Sequence, residues 1–213
     1  MVWTYVDSSP PIINTSALLT YIPTDCKNLA PTWERLAVDF AGESVIIAKV
    51  DAEANTKIAA EYEVRGYPTI KYFPKNNGTP ITYEEGRDEG ALVEYVNSQA
   101  GTYRTIGGGL TATAGTVAAL DELVAKYTGS DLSDVTEKVK AAAADLKDQY
   151  AQYYVKVLGK LAENKDYITK ESTRLEGILK KGGLAPAKKD DLVSRVNILK
   201  RFGIGPGSDK SEL

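Results

Sequence analysis

The side chain best suited to covalent chemistry in this chain is the thiol of Cys26, the single cysteine among 213 residues. A thiolate attacks disulfides, and a second thiol must then resolve the mixed disulfide that forms. Cys26 can therefore begin an exchange and cannot complete it within the chain. One cysteine also excludes an internal disulfide, a thiolate zinc site and an iron–sulfur cluster. There is no histidine. That removes Ser-His-Asp and Cys-His nucleophile pairs, imidazole acid–base catalysis and imidazole metal sites. No metal and no cofactor is expected.

The surroundings of Cys26 pull its ionisation both ways. Thr24 or Asp25 suits a helix cap, which would place Cys26 in the first turn. Helix-end N–H groups favour a thiolate. The adjacent Asp25 carboxylate opposes it. An inert thiol and a thiol that forms mixed disulfides with other proteins both stay open, and the inert one is the simpler reading. The run Gly107-Gly108-Gly109 lacks the Lys-Ser/Thr of a phosphate-binding loop. A net charge of -3, without a basic run, gives no electrostatic reason to expect nucleic acid. No apolar run approaches the roughly 20 residues of a membrane span.

The elements around these residues alternate strand and helix in the first half. Residues 44–50 form a short apolar, partly β-branched run, as a buried central strand does. Before it, Leu29, Trp33, Leu36, Ala37 and Phe40 recur at helical spacing over residues 28–41, and Pro31 marks either a start or a kink. A short helix is expected over residues 54–62, and a turn at residues 65–68. A strand follows at residues 69–73, then a hairpin through Asn76 and Asn77, and a return strand at residues 81–83. A helix over residues 88–99 closes the half. Residues 101–116, rich in glycine and threonine, read as a linker. The second half has no strand alternation. Val135, Val139, Ala142, Leu146, Tyr150, Tyr153, Val157 and Leu161 define one face of a long continuous helix. Shorter helices are expected over residues 117–127, 170–180 and 188–202. Tyr150, Tyr153, Tyr154 and Tyr167 fit a helical core better than a peptide groove.

Residues 26–34, C-K-N-L-A-P-T-W-E, resemble the helix after the redox motif of the protein disulfide-isomerase family, whose usual run is A-P-W-C-G-H-C-K-N-L-A-P-x-W-E. Residues 45–52 resemble that family's V-I-I-A-K-V-D-A strand. Residues 62–69 resemble its Y-x-V-R-G-Y/F-P-T segment, and residues 83–87 its Y-x-G-x-R turn. Residues 174–182 and 191–202 resemble the helical D domain of some of these isomerases and of related non-catalytic chaperones. The resemblance implies a thioredoxin-like α/β domain over residues 1–100, the linker over 101–116, an all-helical D-like domain over 117–204 and a tail over 205–213. It implies a cis-proline at Pro68, facing the active cysteines. Pro68 then either only shapes its turn or, with Tyr67 and Thr69, offers backbone to an extended client, and both readings stay open. The resemblance matches Arg87 to an arginine linked to the ionisation of the second motif cysteine, the position Cys26 takes; without a working cysteine pair, a solvated surface arginine is the simpler reading.

The chain also departs from the family. With Cys26 as the second motif cysteine, Thr24-Asp25 stands where the family has W-C-G-H, so the nucleophilic cysteine is missing. The family's buried glutamate aligns with Leu19. The usual first strand and helix are not recognisable in residues 1–17, which leaves the domain open to being incomplete there. So abrupt an onset is what an altered or truncated start produces. Lys210-Ser211-Glu212-Leu213 is one substitution from Lys-Asp-Glu-Leu, the retrieval address of the endoplasmic reticulum lumen. Sequons at Asn14 and Asn77 point weakly the same way. Residues 1–11 show no signal peptide. The resemblance implies a lumenal protein that assists folding of secretory proteins by thiol–disulfide exchange. Its partners would be unfolded or cysteine-containing clients and a retrieval receptor, with no nucleic acid and no membrane span. The dithiol form of the reaction is not possible for the chain as written. The alternative is a non-catalytic, chaperone-like module that binds unfolded polypeptides.

Overall fold

The computed structural model describes residues 3–4, 16–22, 28–75, 78–126, 132–146 and 148–202. The chain divides into two compact units, Met1–Thr111 and Ala112–Leu213.

The first unit is built on β2 (Ser16–Ile22), which is paired on both edges. β3 (Val45–Asp51) runs parallel to it and β4 (Thr69–Phe73) antiparallel. β5 (Ile81–Tyr83) extends the sheet beyond β4, and β1 (Trp3–Thr4) pairs in parallel beyond β3. The strand order is β1-β3-β2-β4-β5. Parallel neighbours need a crossover, and α1 (Ala30–Asp39) supplies it between β2 and β3. Pro31 sits in its first turn, where a missing N–H costs no helix bond, so it starts the helix and does not kink it.

Successive residues of β2 serve opposite faces of the sheet. Leu18 packs with Trp33, Leu36, Phe40, Ile47, Leu92 and Val96, the core shared with α1 and α3 (Glu89–Ala100). Leu19 packs with Ala48, Val50, Ile58 and Ala59, the core shared with α2 (Thr56–Glu61). Trp33 is almost wholly buried, and its indole N–H is satisfied by the carbonyl of Ala48 at 3.0 Å. α3 begins where the Asp88 carboxylate accepts from the Ala91 N–H, and it stops at Gly101 with φ 67°.

The segment expected as a linker, residues 101–116, is divided between the units. Residues 101–111 fold back within the first. Arg104 is 6% exposed. Its Nε meets Glu43 at 2.6 Å and its Nη1 donates to the Gly108 carbonyl at 3.1 Å. The side chain of Asn97, on α3, holds both the carbonyl and the N–H of Arg104. The Gly107 N–H donates to Asp39 Oδ1 at 2.9 Å. Gly107 and Gly108 have φ of 84° and 70°. The glycines that look like linker composition here provide left-handed turns.

The second unit is all-α among the described residues: α4 (Ala118–Ala125), α5 (Leu132–Ala144), α6 (Ala151–Glu163), α7 (Tyr167–Lys181) and α8 (Pro186–Phe202). The long helix expected from residue 135 to 161 is two helices, α5 and α6. Asp148 turns its carboxylate onto the backbone N–H of Tyr150 at 2.7 Å, a local bond that competes with helix continuation. The spacing of Leu146, Tyr150 and Tyr153 stays in phase across the gap, so periodicity could not show the break. Tyr153 and Tyr154 are buried, and Tyr150 and Tyr167 pack against the same core. The Tyr154 hydroxyl accepts from the Val117 N–H and donates to Asp121. Asn197 on α8 donates to the Ala114 carbonyl at 3.1 Å.

Among the described glycines of this unit, Gly115 is the tightest approach. A Cβ there would lie 2.4 Å from the Cβ of Ser194, and its φ is 75°. Gly115→Ala should therefore destabilise the second unit by about 2 kcal/mol or more. Urea unfolding would measure this, and adding Ser194→Gly should recover part of the loss. An unchanged midpoint in the single variant would contradict this packing.

Candidate functional site

α2 ends by reversing its last turn. Glu63 has φ 52°, the Val64 N–H bonds to the Ala59 carbonyl at 2.8 Å, and the Glu63 N–H bonds to that of Ala60 at 3.1 Å. This double bond pattern caps the helix and launches the turn through Gly66. The peptide bond between Tyr67 and Pro68 is cis. Thr69 donates its hydroxyl to the Gly66 carbonyl at 2.6 Å, which closes the turn before β4 begins. Tyr67 is 48% exposed, whereas Pro68 and Thr69 are half-buried.

Arg87 follows β5, whose Tyr83 pairs with Ile70 near the start of β4, and it reaches this turn from there. Its Nη2 donates to the Pro68 carbonyl at 3.3 Å. Two anchors aim it. The buried Tyr83 hydroxyl donates to the Gly86 carbonyl just before Arg87, and Asp88 just after it caps α3. Burial, with Glu85 and Asp88 nearby, pushes the Tyr83 hydroxyl up to about 12, so it remains a donor through the physiological range.

Tyr67, Pro68, Thr69 and Arg87 thus form one patch. Cys26, with its neighbours Pro23, Thr24 and Asp25, lies outside the described residues, as do Lys210, Ser211, Glu212 and Leu213. Asn14, Asn76 and Asn77 also lie outside them. Leu19 is buried in the apolar cluster beneath α2, where it can carry no proton.

Residues 20–98 match the thioredoxin family model, and residues 115–202 match that of the C-terminal domain of the endoplasmic reticulum protein ERp29. Protein disulfide-isomerase erp38 of Neurospora crassa is 58% identical over 185 residues, 83% of this chain and 50% of that one. Protein disulfide-isomerase tigA of Aspergillus niger is 57% identical over 180 residues, 83% of this chain and 49% of that one. The two units are homologous to those of protein disulfide-isomerases. The chain spans about half the length of the curated relatives it matches. Among solved structures, human ERp44 is 28% identical with a TM-score of 0.38, covering 42% of this chain and 30% of that one.

The chain carries one cysteine, so the dithiol reaction is not available within it. A second feature escaped the sequence reading. Asp39, at the end of α1, is 3% exposed, and its Oδ2 has no hydrogen-bond partner among the described residues. Burial raises its carboxyl above the ordinary range, the Gly107 N–H opposes this, and the neighbouring Glu89 adds to it. The available signal was phase: Asp39 lies three residues after the buried Leu36, on the inward side of the helix.

An acid whose folded-state pKa is raised binds its proton more tightly folded than unfolded. It weakens the fold above that raised pKa, and the penalty fades as pH falls toward 3.8, the ordinary value of the carboxyl in the unfolded chain. Asp39→Asn retains an oxygen for Gly107 and removes the charge. The variant should therefore be more stable than the parent at neutral pH. Its advantage should shrink as pH falls and level off below 3.8. Urea midpoints at a series of pH values check this, and a variant less stable at neutral pH would refute it.

Proposed function

We propose that this chain binds unfolded, cysteine-containing polypeptides in the endoplasmic reticulum lumen and assists their folding, with the single thiol limited to mixed disulfides. The patch at Tyr67, Pro68 and Thr69 carries the reading. Tyr67 presents an aromatic ring at 48% exposure beside a turn held by Thr69 and Arg87. An aromatic ring on a braced turn can cover apolar client side chains with little loss of its own freedom. Homology to disulfide-isomerases supports the class of client. The tail Lys210–Leu213 supports the lumenal location and a retrieval receptor as partner.

The covalent step open to Cys26 is balanced without an oxidant. Its thiolate attacks one sulfur of a client disulfide, one S–S bond forms, one breaks, and the other client sulfur leaves as thiolate. Release needs a thiol from the client or from solution. The non-covalent alternative, a holdase that needs no thiol, is favoured by the lack of a resolving cysteine.

Lysozyme with scrambled disulfides is a suitable client. A one-to-one adduct should appear on non-reducing electrophoresis, vanish on reduction and be absent from Cys26→Ser. Suppression of light scattering by aggregating client should persist in Cys26→Ser and fall in Tyr67→Ser. No adduct with intact protection leaves the holdase as the function. Neither adduct nor protection sinks the reading.

A further inference from the structure

We infer that the cavity bounded by α1, the start of α3 and the 101–111 loop is a groove for a polypeptide segment that carries a basic side chain beside an apolar one. The inference rests on the client-binding reading for the class of partner and adds a second place where the client is held. The cavity measures about 590 Å³ and lies within the first unit. That is within the roughly 300–1,000 Å³ of sites that enclose small ligands or a few side chains.

Its walls are of two kinds. Val38 and Ile106 line it and are 64% and 60% exposed. Two large aliphatic residues that water reaches on a concave surface mark a place where apolar contact is gained on binding. The rest of the lining is charged. Glu34, Asp39 and Glu89 provide three carboxyl groups against one guanidinium, that of Arg35. Arg35 is already engaged, its Nε with Glu89 and its Nη2 with the Thr32 hydroxyl at 3.2 Å. The groove is short of positive charge.

The shortage is sharpest at Asp39. Its Oδ1 takes the Gly107 N–H, the Gly108 N–H and the Glu89 side chain also act on the carboxyl, and its buried Oδ2 has no hydrogen-bond partner among the described residues. A buried carboxylate oxygen without a donor, beside a second carboxylate, costs stability. Such costs are found where a ligand relieves them. An ammonium or guanidinium entering the groove supplies the missing charge. It bonds directly to the exposed Glu34, and its field stabilises the carboxyl groups of Glu89 and Asp39 behind it. A neighbouring apolar side chain covers Val38 and Ile106. An acidic segment, a phosphate or an anionic lipid meets like charge and is rejected.

The test uses the full chain and three labelled dodecapeptides of glycine and serine with a central Leu-Lys-Leu, Leu-Gln-Leu or Leu-Glu-Leu. Fluorescence anisotropy should show the lysine peptide binding roughly fivefold more tightly than the glutamine peptide, the scale of one partly exposed ion pair. The glutamate peptide should be weakest. Glu34→Gln with Asp39→Asn should reduce the lysine peptide to the affinity of the glutamine peptide and leave the latter unchanged. Val38→Ser with Ile106→Ser should weaken both. Far-UV circular dichroism and urea midpoints confirm that each variant is folded. Equal affinities for the three peptides, or full lysine-peptide affinity in the carboxylate double variant, would overturn the assignment. Loss of binding in Tyr67→Ser alone, with the groove variants unaffected, leaves client binding standing and removes the groove. If no peptide binds the parent chain, the groove assignment falls, and lysozyme protection decides separately whether the client-binding reading survives.

Discussion

The first unit depends on β2 being hydrogen-bonded along both edges. Seven residues pair in register with β3, and five of them pair again with β4. An edge strand can slip or bend, but a strand fixed on both sides sets the height of every residue upon it. Leu18 and Leu19 are thereby committed to opposite faces, and each seeds a separate core. α1 can pack only where Trp33 reaches the Ala48 carbonyl across β3. β4 in turn fixes where the 65–68 turn enters the sheet. The position of Tyr67, and the reach of Arg87 to Pro68, are consequences of that register.

A second layer of order comes from polar groups. Arg104 is buried, and its pairing with Glu43 and with the Gly108 carbonyl satisfies a charge that would otherwise be very costly in the interior. Asn97 uses its amide to bind both backbone groups of Arg104, which ties the loop to α3. The same loop delivers the Gly107 N–H to Asp39. Loop, α1 and α3 are thus tied by directional side-chain bonds in addition to the apolar core that α1 and α3 share with the sheet. The charged groove is a by-product of this arrangement. Its walls come from elements tied by these polar contacts.

The sequence was most readable where local pattern and tertiary context agree. The runs Thr69–Phe73 and Ile81–Tyr83 are strands in the structure as expected, because alternation and a bounding turn leave one option. Pro31 was legible as a boundary but not as a start, since a start and a kink share the same residue. The break between α5 and α6 was invisible because the gap of six residues preserves the apolar phase. Composition alone does not separate the 101–111 loop from a linker, because glycine and threonine serve turns and linkers alike, and only the partner of Arg104 distinguishes them. Arg87 and the residues around Pro68 were recognisable through motifs. Their mutual contact was not, because it is created by Tyr83 and Asp88 acting on either side of Arg87.

Asp39 shows why the groove in particular lay beyond sequence reasoning. A carboxylate on the inward side of an amphipathic helix usually signals an error in the assumed phase or a partner elsewhere in the chain. Here the phase is right, one oxygen has a partner from residue 107, and the other oxygen has none. No local rule produces that outcome, because the two elements that create it are separated by 68 residues. A fold that needed only stability would place an amide or an apolar residue at this position. The acid there faces Glu89 and is bordered by exposed Val38 and Ile106, so a cation approaching the groove lowers a cost that the fold alone leaves standing.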